Sequence, residues 1–300
     1  MSFIAHRGCG TSSTKRAGSA GWLVLILSFF TVSISINAQR IAMVVPEPNE
    51  VSDRVANELS ENLERSIKLT DPDAAAATFR SYPKQDFFNL STAQAMEIGN
   101  LLGTDAFVLI HTRTQRRTSL ERTGYFESSA AIYLVSSRTG RLVYWTLTSF
   151  DAEDEDTAKI GLLRTLPSIA GTLSAKARET YISEIGQKAI GPVFPELPES
   201  ESPEAKGLRP PIPYKRIKPE YTRHAYLFGI RATVEIEVNI DSDGKVAGTE
   251  IVRWAGYGLD ESVENAVRSM NWRPAERSGK TLPTRVLLRY NFTKAESEQR

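Results

Sequence analysis

A proline-rich stretch in the second half of the chain sets the strongest limit on how this sequence can fold. Residues 191–213 read GPVFPELPESESPEAKGLRPPIP and contain seven prolines among charged and small residues. Such a segment cannot build a hydrophobic core, and it favours extended polyproline structure. We therefore predict a linker over 186–213, acting as a semi-rigid spacer that separates two folded units.

The composition excludes several functional classes. A chain of 300 residues is long enough for about two domains, and its 37 basic and 36 acidic side chains leave a net charge of +1. No global field points to nucleic acid, so we predict no nucleic-acid partner. Cys9 is the only cysteine, and His6, His111 and His224 are far apart in sequence. We therefore predict no metal site, no cofactor and no enzymatic activity.

Residues 1–39 have the layout of an export signal. Two basic residues stand before an apolar run over 22–36, and the small residue Ala38 follows at a position suited to cleavage. The run is shorter than the ~20 residues that a bilayer span prefers. Release after cleavage near Ala38 and anchoring in the inner membrane by 22–36 both stay open. In either case we predict that the rest of the chain lies in the periplasm.

Residues 40–185 combine apolar runs with amphipathic segments in the order β-α-(β)-α-β-β-β-α, which predicts an α/β module. Val51, Val55, Leu59 and Leu63 recur at steps of four and predict a helix. The other main elements are strands from 40, over 106–114, 127–137 and 141–150, a helix from Ser91 to Gly103, and one long helix over 156–182.

Two features of this module are candidates for functional sites. His111 lies inside an apolar strand, which favours a core or edge histidine over a catalytic one. The arginines of RTQRRTSLER, residues 113–122, suit an anionic polymer, but the stretch lacks interleaved aromatic residues. We therefore predict a solvated hairpin loop there.

Residues 214–294 contain two segments in which apolar and polar side chains alternate, strictly so in 231–240. In 231–240 and again in 284–292, every second residue is apolar, which predicts half-buried strands. Between them, an apolar stripe beginning at Leu259 predicts a helix that Pro274 does not allow to continue. The module is therefore predicted to be an antiparallel sheet with helices, and the whole chain to be α+β.

The stretch NIDSDGKVAGTE, residues 239–250, nearly matches the spacing of a calcium-binding loop. That loop needs a helix on each side, whereas a β-rich run stands on each side here. Glu250, the expected bidentate ligand, would then lie in the middle of a strand. We predict a β-hairpin whose turn uses Asp241, Asp243 and Gly244 for their turn conformations.

An ordered series of short motifs runs through the same residues and resembles the TonB C-terminal domain. The series is Pro219-x-Tyr221, Gly229-x-x-Ala232-Thr233-Val234, Asp243-Gly244-Lys245-Val246, Leu259-Asp260, Ala266-Val267, Trp272-Arg273-Pro274-Ala275, Gly279-Lys280 and Pro283. The resemblance implies a small antiparallel sheet backed by helices.

The resemblance also implies a site and a partner. TonB-type proteins transmit force from an inner-membrane motor to outer-membrane receptors, and they bind a receptor peptide by strand addition beside the last strand. The implied partner is a peptide of an outer-membrane β-barrel receptor. Inner-membrane motor proteins and a weak homodimer stay open as further partners. The predicted binding residues on the edge strand are Arg285, Val286, Leu287, Leu288, Arg289, Tyr290 and Asn291.

The first module carries a second resemblance. Leu102-Gly103-Thr104-Asp105-Ala106 leads into a strand, and AIYLVSSRTGRLVYW reads as strand, turn and strand. These phrases resemble the envelope α/β domains of the curli-secretion protein and the penicillin-binding-protein activator lipoproteins, which implies binding to envelope components.

The predicted function is that of a non-enzymatic TonB-type envelope protein, with energy transduction for transmembrane transport as an implied role. An alternative stays open. The chain is then a periplasmic scaffold or cell-wall-assembly regulator that acts through 40–185 without motor coupling. This alternative rests on the apolar run 22–36, which lacks the histidine with which energy transducers engage the motor.

Overall fold

The computed structural model describes residues 39–64, 67–83, 86–120, 122, 124–186, 193–199 and 201–294. The predicted signal or anchor, the cleavage site near Ala38 and the polar tail 295–300 lie outside these residues. Within the described ranges, no helix combines the length and apolar character needed to cross a membrane.

The N-terminal unit, residues 39–186, is built on a five-stranded sheet with the order β2-β1-β3-β4-β5. Its elements are β1 (Arg40–Val44), α1 (Glu50–Leu63), β2 (Lys68–Leu69), α2 (Pro72–Ser81), α3 (Thr92–Leu102), β3 (Ala106–Arg117), β4 (Tyr125–Ser136), β5 (Leu142–Ala152), α4 (Glu155–Leu163) and α5 (Leu166–Gly186). Strand β1 pairs in parallel with β2 and β3, and β3, β4 and β5 pair antiparallel. The predicted order of strands is confirmed, while the helices differ in two ways: α2 is added, and the last predicted helix is divided into α4 and α5.

Local sequence explains where these helices begin and end. The Asn49 side chain accepts hydrogen bonds from the amides of Val51 and Ser52, both at 3.0 Å, at the start of α1. Ser91 caps α3 as predicted, and Gly103 ends it in the left-handed conformation.

Three predictions for this unit need correction. The stretch after Leu69, to which the sequence analysis assigned no helix, contains α2, because Asp71 caps a helix whose first residue is Pro72. The predicted helix over 156–182 is two helices, and the Thr165 hydroxyl donates to the Leu162 carbonyl at 2.7 Å where the first one ends. The arginine-rich stretch is less of a loop than predicted, since β3 continues to Arg117.

The C-terminal unit contains three small sheets, with orders β13-β8-β9, β10-β7 and β12-β11-β6. Its elements are β6 (Leu208–Arg209), β7 (Ile212–Pro213), α6 (Arg223–Phe228), β8 (Ala232–Ile240), β9 (Val246–Arg253), α7 (Leu259–Arg268), β10 (Trp272–Arg273), β11 (Ala275–Arg277), β12 (Lys280–Leu282) and β13 (Thr284–Phe292). Strands β6 and β7 lie within the stretch predicted as linker, so part of that stretch belongs to this unit.

The stretch with calcium-loop spacing forms the hairpin between β8 and β9, as predicted. The Asp241 carboxylate accepts hydrogen bonds from the amides of Asp243 and Lys245, both at 2.9 Å. Gly244 has a φ of 79°, and a Cβ at this position would lie 1.9 Å from the Trp272 carbonyl oxygen. Glu250 lies inside β9, opposite Glu237 of β8. The hairpin therefore accounts for the presence of Asp241 and Gly244 in this stretch.

The two units pack against each other, so the prediction of a spacer that holds them apart is wrong. The described residues between 39 and 294 belong to one compact body. One face of the N-terminal sheet packs on α1, α4 and α5, while side chains of the opposite face share a hydrophobic cluster with β8, β9 and α7. Tyr133 of β4 lies in this shared cluster, with its ring centroid 5.9 Å from that of Trp254.

Polar contacts fix the position of the two units. The Asn89 side chain donates to the carbonyls of Trp254 and Thr233 at 2.7 and 2.8 Å, and it accepts from the Thr233 amide at 2.9 Å. The Trp254 indole donates to the Gly140 carbonyl at 3.1 Å. The linker composition could not reveal this packing, because the paired groups lie more than a hundred residues apart in sequence.

A strained turn follows Trp254 at this contact. Gly256, Tyr257 and Gly258 all have positive φ, at 71°, 54° and 75°. The Asp260 carboxylate supports the turn by accepting hydrogen bonds from the amides of Ala255 at 2.9 Å and Gly256 at 2.7 Å. Burial raises the pKa of Asp260 to about 7, although these two amides act in the opposite direction.

Candidate functional site: an open sheet edge

Strand β13 forms one edge of the sheet β13-β8-β9. It pairs antiparallel with β8 along its whole length, from Thr284 opposite Ile240 to Phe292 opposite Ala232. The seven residues predicted from the sequence to bind a partner, Arg285 to Asn291, all lie on this strand. Their location is thus at a sheet edge, as the resemblance implies, while their role in binding stays a prediction.

The opposite edge of the sheet, β9, is partly covered by the N-terminal unit. Ser91 forms an antiparallel bridge with Arg253, and the Trp254 amide donates to the Leu90 carbonyl at 3.2 Å. Arg141 of the N-terminal unit also pairs with Glu250, at 2.5 Å. The packing of the two units therefore leaves β13 as the more accessible edge.

The direction of the β13 backbone groups follows from one hydrogen bond. The Arg285 amide donates to the Pro195 carbonyl at 2.8 Å, so it points away from β8. Backbone groups along a strand alternate between its two sides. The amides and carbonyls of Leu287, Arg289 and Asn291 therefore face the open side of the sheet as well, where an incoming strand would find them.

Side chains on β13 alternate as the sequence predicts. Val286 and Phe292 are buried, whereas Leu287 is 57% exposed on the other face. The exposed side chain of Leu287 lies directly beside the backbone groups that face outward from β13. It offers a contact surface to a strand that adds at this edge.

The solvent face of the sheet carries a row of ion pairs. Glu235, only 7% exposed, accepts hydrogen bonds from Arg253 at 3.1 Å and from Arg289 at 2.6 Å. Burial by itself would raise the pKa of Glu235, but the hydrogen bonds from Arg289 and Arg253 outweigh it and lower the pKa. Arg285 similarly pairs with Glu237 at 3.1 Å. These pairs hold the arginine side chains across the sheet and so order its edge.

The opposite face of β13 borders a groove of about 440 Å³. Its lining is largely apolar and includes Ile212, Met270, Trp272, Val286 and Leu288. Three cationic residues also contribute, namely Arg216, Lys218 and Arg289. A strand added at β13 would direct every second side chain toward this groove.

Sequence reasoning missed the residues outside β13 that line the groove or contact the edge strand. Ile212, Arg216 and Lys218 come from the end of the predicted linker and the residues after it, and Pro195 comes from its middle. The run KRIK, residues 215–218, lies between three prolines before it and one directly after it, and its basic residues could have indicated a basic flank. No local pattern indicated the Pro195 contact, because it depends on a strand ninety positions later.

The other candidate residues do not assemble into a catalytic centre. His111 stacks on Phe88 with ring centroids 4.8 Å apart, and its Nε2 atom lies 3.8 Å from Glu47. Burial lowers its pKa, although Glu47 acts in the opposite direction. Across the described ranges, no group of three or more His, Cys, Asp or Glu side chains is placed to hold a metal ion.

The arginine-rich stretch is occupied by intramolecular contacts. Arg117 pairs with Glu127 on the neighbouring strand, and Arg122 lies 4.0 Å from Asp151. Arg113 donates to the Phe228 carbonyl of the C-terminal unit at 3.5 Å. These arginines point to different neighbours, so they do not form a continuous cationic surface.

The fold and the open edge define a class of domain, namely a small antiparallel sheet with helices that presents one edge strand. Residues 217–293 match the family model described as Gram-negative bacterial TonB protein C-terminal. The chain therefore carries a TonB C-terminal domain, and the resemblance seen in its sequence motifs is confirmed. No protein with a curated description matches the chain.

Solved structures are similar to parts of the chain. The solution structure of the Pseudomonas aeruginosa TonB C-terminal domain shares 21% identity, covering 29% of this chain and 90% of that one, with a TM-score of 0.26. A lipoprotein from Neisseria meningitidis shares 19% identity over 46% of this chain and 98% of its own, with a TM-score of 0.32. A hypothetical protein from Chlamydia trachomatis shares 15% identity over 46% and 99%, with a TM-score of 0.30.

The family match of residues 217–293 supports a TonB-like envelope protein. TonB C-terminal domains are non-enzymatic protein-interaction domains, and they interact with outer-membrane receptors. The resemblance of residues 40–185 to curli-secretion and penicillin-binding-protein activator domains is not tested by the family match and stays a prediction.

Proposed function

We propose that this protein binds a short peptide of an outer-membrane β-barrel receptor in the periplasm, by adding that peptide as a strand to β13. The observation that carries the proposal is the arrangement of the sheet edges. The β9 edge is partly covered by the N-terminal unit, whereas Leu287, Arg289 and Asn291 present outward backbone groups on β13.

Strand addition explains how one edge recognises a peptide. Hydrogen bonds between backbones supply affinity with little dependence on sequence, and pockets for alternate side chains supply specificity. The groove beside Val286 and Leu288 suits apolar side chains, and Arg216 and Lys218 favour a peptide that also carries carboxylates. The expected partner is thus an extended peptide with apolar residues at alternate positions and at least one acidic residue.

The proposal also includes a role for residues 1–39, most of which lie outside the described ranges. We propose that residues 1–39 direct export and either anchor the chain in the inner membrane or are removed near Ala38. Coupling to inner-membrane motor proteins, and so energy transduction for transport, is proposed only for the anchored form. Sequencing the N-terminus of the protein recovered from cells decides between the two forms.

Backbone pairing is tested by removing one outward amide. Leu287→Pro deletes an N–H on the open side and leaves the hydrogen bonds to β8 in place, because proline is tolerated on an edge strand when its nitrogen faces outward. Leu287→Ala removes the same side chain and keeps the amide. With a photo-crosslinking residue at Asn291 of the full chain, we expect wild type and Leu287→Ala to crosslink to an outer-membrane barrel in intact cells. We expect Leu287→Pro to lose at least about tenfold in yield.

Equal yields from Leu287→Pro and Leu287→Ala would show that backbone pairing is not the mode of binding. Recovery of no barrel protein by wild type would overturn the proposed partner. Circular dichroism of both variants checks that each is folded.

A second candidate function is a periplasmic scaffold or cell-wall-assembly regulator without motor coupling. One observation favours it, namely that the N-terminal unit is packed on the TonB C-terminal domain through Asn89 and Trp254 instead of being linked by a long spacer. The two units then present their surfaces together. A mature N-terminus at Gln39 with no protein in the membrane fraction would support this candidate over the anchored form.

A further inference from the structure

Part of the proline-rich stretch lies on the edge that we propose for partner binding. We call residues 193–199, VFPELPE, the bridge segment. Glu196 forms a parallel bridge with Arg285, and the Arg285 amide donates to the Pro195 carbonyl at 2.8 Å. The chain thus places a short segment of its own against the first outward position of β13.

The bridge segment is held by a side chain as well as by its backbone. Leu197 is partly buried and packs against the hydrophobic cluster that includes the core of the C-terminal unit. Val193, four residues earlier, is 87% exposed. Leu197 is therefore an apolar contact that helps to keep the segment in place, and Val193 offers a matched control in the same segment.

The occupied position and the free positions lie on one continuous edge. The pairing of the bridge segment with β13 is a single bridge at Arg285. The outward groups of Leu287, Arg289 and Asn291 follow at intervals of two residues along the same side. A peptide that pairs with the full edge must take the Arg285 amide from Pro195, since one amide hydrogen has one strong acceptor at a time.

We propose that the bridge segment is an internal occupant of this edge and that a partner peptide has to displace it. The proposal rests on the proposed function for the identity of the partner. The segment covers part of an otherwise open strand, which lowers the tendency of the edge to pair with unrelated chains. Binding of the partner then releases residues 193–199, so the proline-rich stretch changes its conformation when the edge is engaged.

Occupancy of the edge is measured first without any partner. Amide hydrogen exchange of the full chain reports the Arg285 amide together with those of Val286 and Leu288, which face β8. In Leu197→Ala we expect Arg285 to exchange about tenfold faster than in wild type, with Val286 and Leu288 unchanged. In Val193→Ala we expect all three amides to exchange as in wild type. The unchanged amides also show that the sheet is folded.

Displacement is then measured with the crosslinking residue at Asn291 described above. If the segment competes with the receptor peptide, Leu197→Ala raises the crosslinking yield at limiting receptor several-fold over Val193→Ala, because a larger fraction of the edge is free to bind. Faster exchange at Arg285 without a rise in yield would overturn displacement. Unchanged exchange at Arg285 in Leu197→Ala would overturn occupancy.

Failure of the proposed function gives a different pattern. If wild type and both variants crosslink to no barrel protein, the receptor proposal fails, and the exchange of Arg285 alone then decides whether the bridge segment occupies the edge. Displacement by a receptor peptide is overturned in that case, since the edge has no such ligand.

Discussion

Asn89 joins the two units more directly than any other polar side chain described above, so its removal tests their packing. Its amide group makes three hydrogen bonds, of 2.7, 2.8 and 2.9 Å, to the backbone of Trp254 and Thr233. Asn89→Ala leaves two carbonyls and one amide without these partners at a partly buried contact. A polar group left unsatisfied by burial costs about 1–3 kcal/mol, and partial access to water reduces this. We expect the variant to lose about 2–4 kcal/mol of unfolding free energy.

Asn62→Ala is a matched control. The Asn62 side chain is also partly buried and hydrogen-bonded, but both acceptors belong to Glu58, one turn earlier in α1. Alanine has a higher helix propensity than asparagine by about 0.5 kcal/mol, which offsets the lost hydrogen bonds. We expect this control to change stability by less than about 1 kcal/mol.

The assay is urea unfolding of the chain from residue 39 onward, followed by far-ultraviolet circular dichroism. A stable contact between the units predicts one cooperative transition in wild type and a lower midpoint in Asn89→Ala. Equal midpoints for Asn89→Ala and Asn62→Ala would refute the reasoning, because the hydrogen bonds between units would then contribute no more than those within one helix turn.

Three further predictions concern the C-terminal unit. Gly244→Ala should destabilise the protein by more than about 2 kcal/mol, because its Cβ would collide with the Trp272 carbonyl. Gly279→Ala is the control: Gly279 has the same φ of 79° but open space around its Cβ, so this variant should cost only about 1 kcal/mol. Equal losses of stability in thermal unfolding would contradict the contact between position 244 and the Trp272 carbonyl. Glu235→Gln should lose about 2 kcal/mol at pH 7, because two arginines lose their shared carboxylate. The lowered pKa of Glu235 means that this contribution is present above the ordinary value of 4.5 and is lost as pH falls, so the variant and wild type should converge in acid. Burial raises the pKa of Asp260 to about 7, so this residue predicts a pH dependence of stability opposite to that of Glu235. The folded state binds the proton more tightly, so wild-type stability should fall by a few kcal/mol, on the order of 1.4 per pH unit, as pH rises from about 4 to 7. In urea titrations, the stability of Asp260→Asn should depend less on pH than that of wild type. An equal change of stability with pH in both proteins would show that Asp260 is not the group responsible.

Some elements could be predicted from local patterns because their physical causes are local. The caps of α1 and α3, the hairpin at Asp241 and the alternation on β13 depend on residues within a few positions of each other. The break between α4 and α5 was missed although the sequence carries a local signal for it, since Pro167, the second residue of α5, fits a first helical turn and not a helix interior. Helix α2 was missed because Asp71 and Pro72 are found both in turns and at helix starts.

The sequence by itself determined most of the strands and helices and the TonB C-terminal domain, because periodicity and motif order are properties of short segments. Only the tertiary structure decided which sheet edge is open, how the units meet and what lies on Arg285. Those features depend on contacts between segments far apart in the chain, such as Asn89 with Trp254 and Pro195 with Arg285. A proline-rich composition indicates that a segment cannot form a core of its own. It does not indicate whether the segment is solvated or lies against a strand, because an extended backbone is equally suited to both.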